Sequence, residues 1–272
     1  MSPSPETTTR VIISGGGTGG HIFPAIAIAN ALRAIDPAIQ LLFVGAEGKM
    51  EMEKVPAAGY TIKGLPIAGI KREFSLDNLS FPLKLLRSLS KAGDIIKEFN
   101  PQAAVGVGGY ASGPLLYMAS RRGIPALVQE QNSFPGITNK MLARKAKKIC
   151  VAYEGMDRFF PAEKIVFTGN PVREDIKQID GKRAEAAAFF GVDPGKRTLL
   201  VVGGSQGARS INKAMRDGLN EIAAAGIQLI WQTGKPFHPE AKQAVDALNN
   251  PGIRVFDFIT RMDLGYAIAD AV

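Results

Sequence analysis

Thiol and imidazole are scarce in this chain, which has one cysteine, Cys150, and two histidines among 272 residues. A single thiol excludes an internal disulfide framework. One cysteine and two histidines also fall short of the four ligands of a typical zinc site, so no metal is expected. Cys150 sits in the apolar run "KKICVAY" and reads as a buried core thiol in a reducing compartment.

Long apolar runs are missing as well. The uncharged stretch 103–120 contains four glycines and a proline. It reads as strand, loop and helix, not as a membrane span. The N-terminus, "MSPSPETTTR", has no apolar core of the secretory type and reads as a disordered tail over 1–9, so a cytoplasmic protein is expected.

Acid is the scarcer charge. The formal net charge is +8, and residues 1–170 carry 20 basic against 13 acidic side chains while 171–272 carry 13 against 12. A basic first half suits a polyanion, an anionic membrane surface or an acidic substrate. Nucleic acid is not expected as a partner, because no helix-turn-helix, RNP or zinc-finger pattern accompanies the charge. A composition of 46% hydrophobic and 21% charged residues describes a globular protein. Beyond about 250 residues single cores usually divide, so two domains are expected.

Glycine, by contrast, is concentrated. "SGGGTGGHIFPA" holds Gly15, Gly16, Gly17, Gly19 and Gly20 around Thr18, followed by His21 and Pro24. An apolar run precedes it, and Ile28, Leu32 and Ile35 follow at helical spacing. The unit is therefore strand, glycine loop, helix. Pro24 fits a first helical turn, which would leave the loop's N–H groups at the positive end of a helix dipole, a geometry that suits phosphate. Gly15, Gly17 and Gly20 match the dinucleotide fingerprint, yet the second strand ends in Gly45 and the first acid after it is Glu47, not a ribose acid in the expected place.

Short apolar runs recur at 11–13, 41–44, 103–107, 126–129, 149–152 and 165–168 with helical patterns between most of them, predicting an α/β fold with a parallel sheet. A polar interval follows "GNPVR", which places a domain boundary near Asn170: an N-terminal domain over 10–170 and a C-terminal one over 171–272. The second half restarts as strand, glycine loop and helix in "TLLVVGGSQGARSINKAM", with Ser205 placed like an N-cap. Strands at 228–232 and 253–256 follow, and "YAIADAV" reads as the opening of another strand. Three strands and a fragment predict that this second domain is incomplete in the chain.

Two more motifs lie at predicted strand ends. "GVGGYASGP" is another glycine loop, in which Gly108 and Gly109 either present N–H groups to phosphate or make a packing turn. "QEQNSFPGITNK" clusters Glu130, Gln131 and Asn132 where open α/β sheets bind ligands, although polar residues there also serve as caps.

Together "GGGTGGHIFPA", "GVGGYASGP", "EQNSFPGITNK", "GNPVR" and "GGSQGAR" stand in the order and spacing of the MurG family of bacterial N-acetylglucosaminyltransferases, which the chain resembles from about residue 10 to its end. The resemblance implies a GT-B fold of two Rossmann-like domains facing a cleft. It implies transfer of N-acetylglucosamine from UDP-N-acetylglucosamine to the C4 hydroxyl of undecaprenyl-pyrophosphoryl-N-acetylmuramyl pentapeptide, lipid I, giving lipid II with inversion. No cofactor is implied. Thr18, Gly19, Gly20, Asn132, Arg173, Ser205 and Ile259 match donor contacts, and Gly108, Gly109 and Tyr110 match the acceptor pyrophosphate site. His21 is either the base for the acceptor hydroxyl or a local loop-fixing residue, and Glu130 is the competing base.

Two departures stand out. Gln129 occupies a position where relatives commonly have histidine, which touches the acceptor side. The C-terminal donor motifs of the family do not appear, which keeps open a non-catalytic acceptor-binding protein beside the transferase; a nucleotide-dependent oxidoreductase is the third class. Finally, "IKREFSLDNLSFPLKLLRSLSK" mixes Phe74, Leu76, Leu79, Phe81, Leu83 and Leu86 with basic residues, and "KMLARKAKK" holds Lys140, Arg144, Lys145, Lys147 and Lys148 without an acid. This pairing suits peripheral docking on the cytoplasmic face of an anionic inner membrane; a helix packed on the sheet is the other reading of the leucines.

Overall fold

The structure is a computed structural model that describes residues 8–67, 81–172, 176 and 178–272. The chain divides into two compact units, Met1–Val172 and Arg173–Val272. Of the tail expected over 1–9, residues 1–7 lie outside the described residues, while the Thr9 carbonyl already accepts the Gln40 N–H at 2.8 Å.

The first unit is a parallel sheet of seven strands: β1 (Arg10–Gly15), β2 (Gln40–Ala46), β3 (Thr61–Leu65), β4 (Ala103–Gly108), β5 (Ala126–Glu130), β6 (Lys148–Val151) and β7 (Ile165–Phe167). They are ordered β3-β2-β1-β4-β5-β6-β7. Its helices are α1 (Gly19–Ile35), α2 (Glu51–Ala57), α3 (Phe81–Phe99), α4 (Ser112–Arg121) and α5 (Ile137–Ala143). β1 pairs with β2 on one side and β4 on the other, so the chain reverses its direction of winding between them. Loops following strands at such a switch point open a crevice at the carboxyl edge of the sheet.

Burial on both faces explains the apolar strands. One core joins Val11, Ile13, Phe43 and Val105 to Ile22, Ala25 and Ala29 of α1. The other joins Ile12, Leu42, Ala104 and Val128 to helices α3, α4 and α5. Ile12, Ile13 and Phe43 are wholly inaccessible to solvent; burying such a side chain contributes about 1.5–3 kcal/mol. β3 escapes the sequence pattern because "TIKGL" places Lys63 and Gly64 in an edge strand that is buried only at Leu65. Cys150, expected in the core, is half-buried on β6; burial raises its thiol pKa and a hydrogen bond with Thr168 opposes this.

The second unit has β8 (Thr198–Val202), β9 (Gln228–Gln232) and β10 (Ile253–Phe256), parallel and ordered β10-β9-β8. Its helices are α6 (Arg183–Phe190), α7 (Arg209–Asp217), α8 (Leu219–Ala224), α9 (His238–Leu248) and α10 (Met262–Ile268). Trp231 is fully buried between these layers and donates from Nε1 to the side-chain oxygen of Asn212 at 3.1 Å. "YAIADAV" is not the opening of a strand throughout: Tyr266 to Ile268 finish α10, and only Ala271 pairs, in a parallel bridge with Leu199.

Candidate functional site: glycine loops at the carboxyl edges of the sheets

In the first unit α1 begins at Gly19, so Pro24 lies inside the helix and not in its first turn. The N–H groups of His21 and Ile22 both reach the Thr18 carbonyl at 3.1 Å, which winds the helix immediately after the loop. Proline then removes only the bond that would have gone to the Gly20 carbonyl. The loop proper is Gly16, Gly17 and Thr18, with Gly17 at φ +84° and Thr18 exposed. His21 and Gly20 therefore belong to the opening turn of α1, at the positive end of its dipole.

The loop after β4 lies directly against it. The Gly16 N–H donates to the Gly108 carbonyl at 3.3 Å. Gly109 has φ +92°, and a Cβ there would stand 2.5 Å from the Gly16 carbonyl oxygen. Ser112, fully buried at the start of α4, ties both strand ends by donating towards the carbonyls of Gly108 at 2.9 Å and Ser14 at 3.1 Å. Tyr110 projects from this loop, 48% exposed.

The turn after β5 completes the edge. Gln131 donates from Nε2 to the Val107 carbonyl at 2.8 Å, tying this turn to β4. Glu130 is 1% exposed and its carboxylate is surrounded by donors. It accepts the N–H and Nδ2 of Asn132, both at 3.0 Å, the Gly136 N–H at 3.2 Å and Nδ2 of Asn139 at 2.8 Å. Asn132 is thus held exposed on a turn organised by a buried carboxylate. Gln129 is 1% exposed, with its side-chain oxygen accepting from Gln131.

His21 is half-buried, with Nδ1 3.0 Å from the Gly16 carbonyl oxygen. A carbonyl can only accept, so the proton of the neutral ring sits on Nδ1 and Nε2 carries the lone pair. The Nε2 edge faces Gly108, where a Cβ would come within 2.8 Å of that nitrogen.

In the second unit the corresponding loop runs from Gly203 to Ala208. Ser205 is not an N-cap, because α7 starts at Arg209 with Ala208 as its cap; the glycines at 204 and 207, both with positive φ, carry the chain further before it winds. Ile259, 4% exposed, follows β10, and its N–H donates to the side-chain oxygen of Gln232 at 2.7 Å. Gln232 donates in turn to the Gly204 carbonyl at 3.0 Å, so one buried amide joins two of the predicted donor positions' loops. Beside them Asp263 accepts two hydrogen bonds from Arg261 at 2.9 and 2.8 Å and pairs with Lys182 at 3.4 Å. The Arg261 guanidinium holds its carboxyl down to about 2, chiefly by hydrogen bonding. Arg173 lies outside the described residues.

Comparison with known proteins decides what these loops belong to. Residues 11–151 match the glycosyltransferase family 28 N-terminal domain and residues 198–272 its C-terminal domain. A protein of Parabacteroides distasonis, named UDP-N-acetylglucosamine–N-acetylmuramyl-(pentapeptide) pyrophosphoryl-undecaprenol N-acetylglucosamine transferase, is 56% identical over 97% of this chain and 72% of its own length. The chain belongs to glycosyltransferase family 28, in its MurG branch.

A protein of Phocaeicola vulgatus that bears the same name is 57% identical over 98% of this chain and 71% of its own length. Among solved structures, MurG of Acinetobacter baumannii superimposes with a TM-score of 0.64 at 29% identity, covering 96% of this chain and 72% of that one. A UDP-GlcNAc 2-epimerase from Neisseria meningitidis, bound to UDP-GlcNAc, gives a TM-score of 0.61 at 11% identity over 96% of this chain and 75% of that one, a likeness of fold alone. The fold class is thus the expected one, Rossmann-like α/β units of the GT-B kind.

Family membership removes the oxidoreductase alternative, and the edge of β2 agrees. Glu47 is paired with Lys91 at 2.7 Å. The carboxylate that does reach the β1–β2 edge is Glu51, which sequence reasoning missed; it is 1% exposed and spent on backbone N–H groups. Gln232 and Asn139 were missed too, since nothing local distinguishes a buried amide from a surface one.

The predicted membrane patch divides. Phe74, Leu76 and Leu79 lie outside the described residues. Phe81 is half-buried and packs on the core with Leu85, so it is not a free apolar group. Leu83 and Leu86 of α3 are 53% and 65% exposed. Phe134, in the turn before α5, and Ile137 and Met141, on α5, are exposed, with Nζ of Lys140 4.1 Å above the Phe134 ring. Arg144, Lys145, Lys147 and Lys148 are exposed. Tyr117 has its pKa lowered by a hydrogen bond with Arg121 and by the charge of Lys145, which lies 4.1 Å over its ring. No described helix is long and apolar enough to cross a membrane.

Proposed function

We propose that the chain transfers N-acetylglucosamine from UDP-N-acetylglucosamine to the C4 hydroxyl of undecaprenyl-pyrophosphoryl-N-acetylmuramyl pentapeptide, with His21 as the base. The observation that carries the assignment of the base is the 3.0 Å contact from Nδ1 to the Gly16 carbonyl, which in the neutral ring places the lone pair on Nε2, beside the Gly108 loop. In the reaction the C4 oxygen gives its proton to Nε2 and bonds to the anomeric carbon. The carbon–oxygen bond to UDP breaks with its electron pair on the diphosphate, inverting the centre.

Gly108, Gly109 and Tyr110 border the acceptor pyrophosphate in this reading, supported by the left-handed backbone of both glycines, φ +112° and +92°. Thr18, Gly19, Gly20 and Asn132 contact the donor from the first unit. In the second unit Ser205 and the N-terminus of α7 meet the charge that develops on UDP, and Ile259 lies at the nucleotide. Arg173 is the cationic partner expected there. Glu130 orders the Asn132 turn and is not the base, because four N–H donors already occupy its lone pairs.

The lipid-linked acceptor brings the protein to the cytoplasmic face of the inner membrane. Support comes from exposed Leu83, Leu86, Ile137 and Met141, on helices α3 and α5 that share one core, and from Lys140 on α5 and the basic residues just after it. A soluble lipid I analogue tests the chemistry: His21→Ala should lower kcat by roughly 10²-fold or more. Unchanged turnover removes His21 from the mechanism.

A further inference from the structure

We infer that Glu51 is a positioning residue that controls His21 through the Gly16–Gly17 peptide group. One peptide plane carries both contacts: its N–H, on Gly17, donates to Oε2 of Glu51 at 2.8 Å, and its carbonyl, on Gly16, accepts Nδ1–H of His21 at 3.0 Å. The result is a carboxylate and an imidazole joined by a peptide bond in place of a direct hydrogen bond. An N–H that donates to a carboxylate polarises its own amide and makes the carbonyl a stronger acceptor. That carbonyl then holds the ring in the Nδ1–H tautomer, the form with its lone pair on Nε2.

The surroundings are built for this carboxylate. Glu51 is 1% exposed, yet it opens helix α2, whose dipole favours a negative charge at that end. Its other oxygen accepts the Ala46 N–H at 3.0 Å, so the end of β2 fixes one side of the carboxylate while the glycine loop takes the other. Space is cleared both in the loop after β1 and on β2: a Cβ on Gly16 would overlap the carboxylate, and one on Gly45 would stand 2.5 Å from Cγ of Glu51. Three glycines therefore have a joint reason, two to admit Glu51 and Gly17, at φ +84°, to turn its N–H towards it.

The proposal rests on His21 as base for its catalytic consequence, but the tautomer can be read without turnover. The chain has two histidines, so ¹⁵N-imidazole spectra of the 272-residue protein, with His238→Asn for assignment, resolve His21 directly. Neutral His21 is expected as the Nδ1–H form, and Glu51→Gln, which cannot accept both N–H groups, should admit the Nε2–H form. With turnover, Glu51→Gln should lower kcat about tenfold, in the range of lost outer-shell partners, and leave KM for UDP-N-acetylglucosamine within about twofold. In a His21→Ala background it should cost little more. A wild-type spectrum showing the Nε2–H form overturns the inference without any variant, as does a folded Glu51→Gln protein with an unchanged tautomer. Glu51→Asp, too short to span both N–H groups, serves if the glutamine variant does not fold. If His21→Ala turns over normally while the tautomer still follows Glu51, the base assignment falls and the hold of Glu51 on His21 stands.

Discussion

The side-chain oxygen of Gln232 accepts the Ile259 N–H at 2.7 Å while its nitrogen donates to the Gly204 carbonyl at 3.0 Å, so a single amide at 2% exposure fixes two loops relative to each other. Gln232→Met keeps the volume and removes both bonds. Leaving a buried polar group unsatisfied costs about 1–3 kcal/mol. Calorimetry should therefore find UDP binding weakened by roughly tenfold, since about 1.4 kcal/mol corresponds to that factor. Equal affinity in the two proteins would show that the bridge does not shape the nucleotide site.

Glu130 separates the two candidate bases. With four donors around it, Glu130→Gln presents an amide NH₂ to groups that are themselves N–H donors, so stability falls by about 1–3 kcal/mol. Turnover should fall much less than the roughly 10²-fold or more expected for loss of a base. A glutamine variant that melts like wild type but has lost that much kcat would restore Glu130 to the chemistry.

These residues mark where the sequence is legible and where it stops. Strands such as 198–202, 228–232 and 253–256 appear as read, because two-faced burial demands apolar β-branched runs. The glycine loops are equally visible, since positive φ and close backbone approach, as at Gly109 against Gly16, leave no other residue. Helix starts were displaced at Pro24 and Ser205: the first helix winds as soon as Thr18 can accept two N–H groups, whereas the second waits for Ala208. Glu51 and Gln232 were invisible for a different reason. Glu51 reaches the Gly17 N–H 34 residues back and Gln232 the Ile259 N–H 27 residues on, and nothing in their own neighbourhood announces burial.

Asp263 makes the second unit acid-sensitive in a defined window. Its carboxyl is lowered from 3.8 to about 2, first by hydrogen bonding with Arg261. A depressed folded-state pKa means that the unfolded chain binds the proton first, so the stabilisation is complete above about pH 4 and is lost as pH falls towards 2. Urea midpoints of wild type should drop through that interval more steeply than those of Asp263→Asn, which has no proton to take up there. Parallel curves for the two proteins would exclude Asp263 as a source of acid sensitivity.

Membrane docking makes the last prediction. Lys140, Arg144, Lys145, Lys147 and Lys148 lie on and just after α5, from which Ile137 and Met141 project 78% and 76% exposed. Each basic side chain near an anionic surface contributes on the order of 1 kcal/mol, screened over about 10 Å at 0.1 M salt. The apolar groups add a term that salt does not screen. Sedimentation with phosphatidylglycerol vesicles should therefore fall as salt rises and fall further when the five basic residues are neutralised. Ile137→Ser with Met141→Ser should instead lower binding at every salt concentration without changing the slope. Binding indifferent to salt and to the basic residues would leave the transferase assignment standing and remove this face from the membrane.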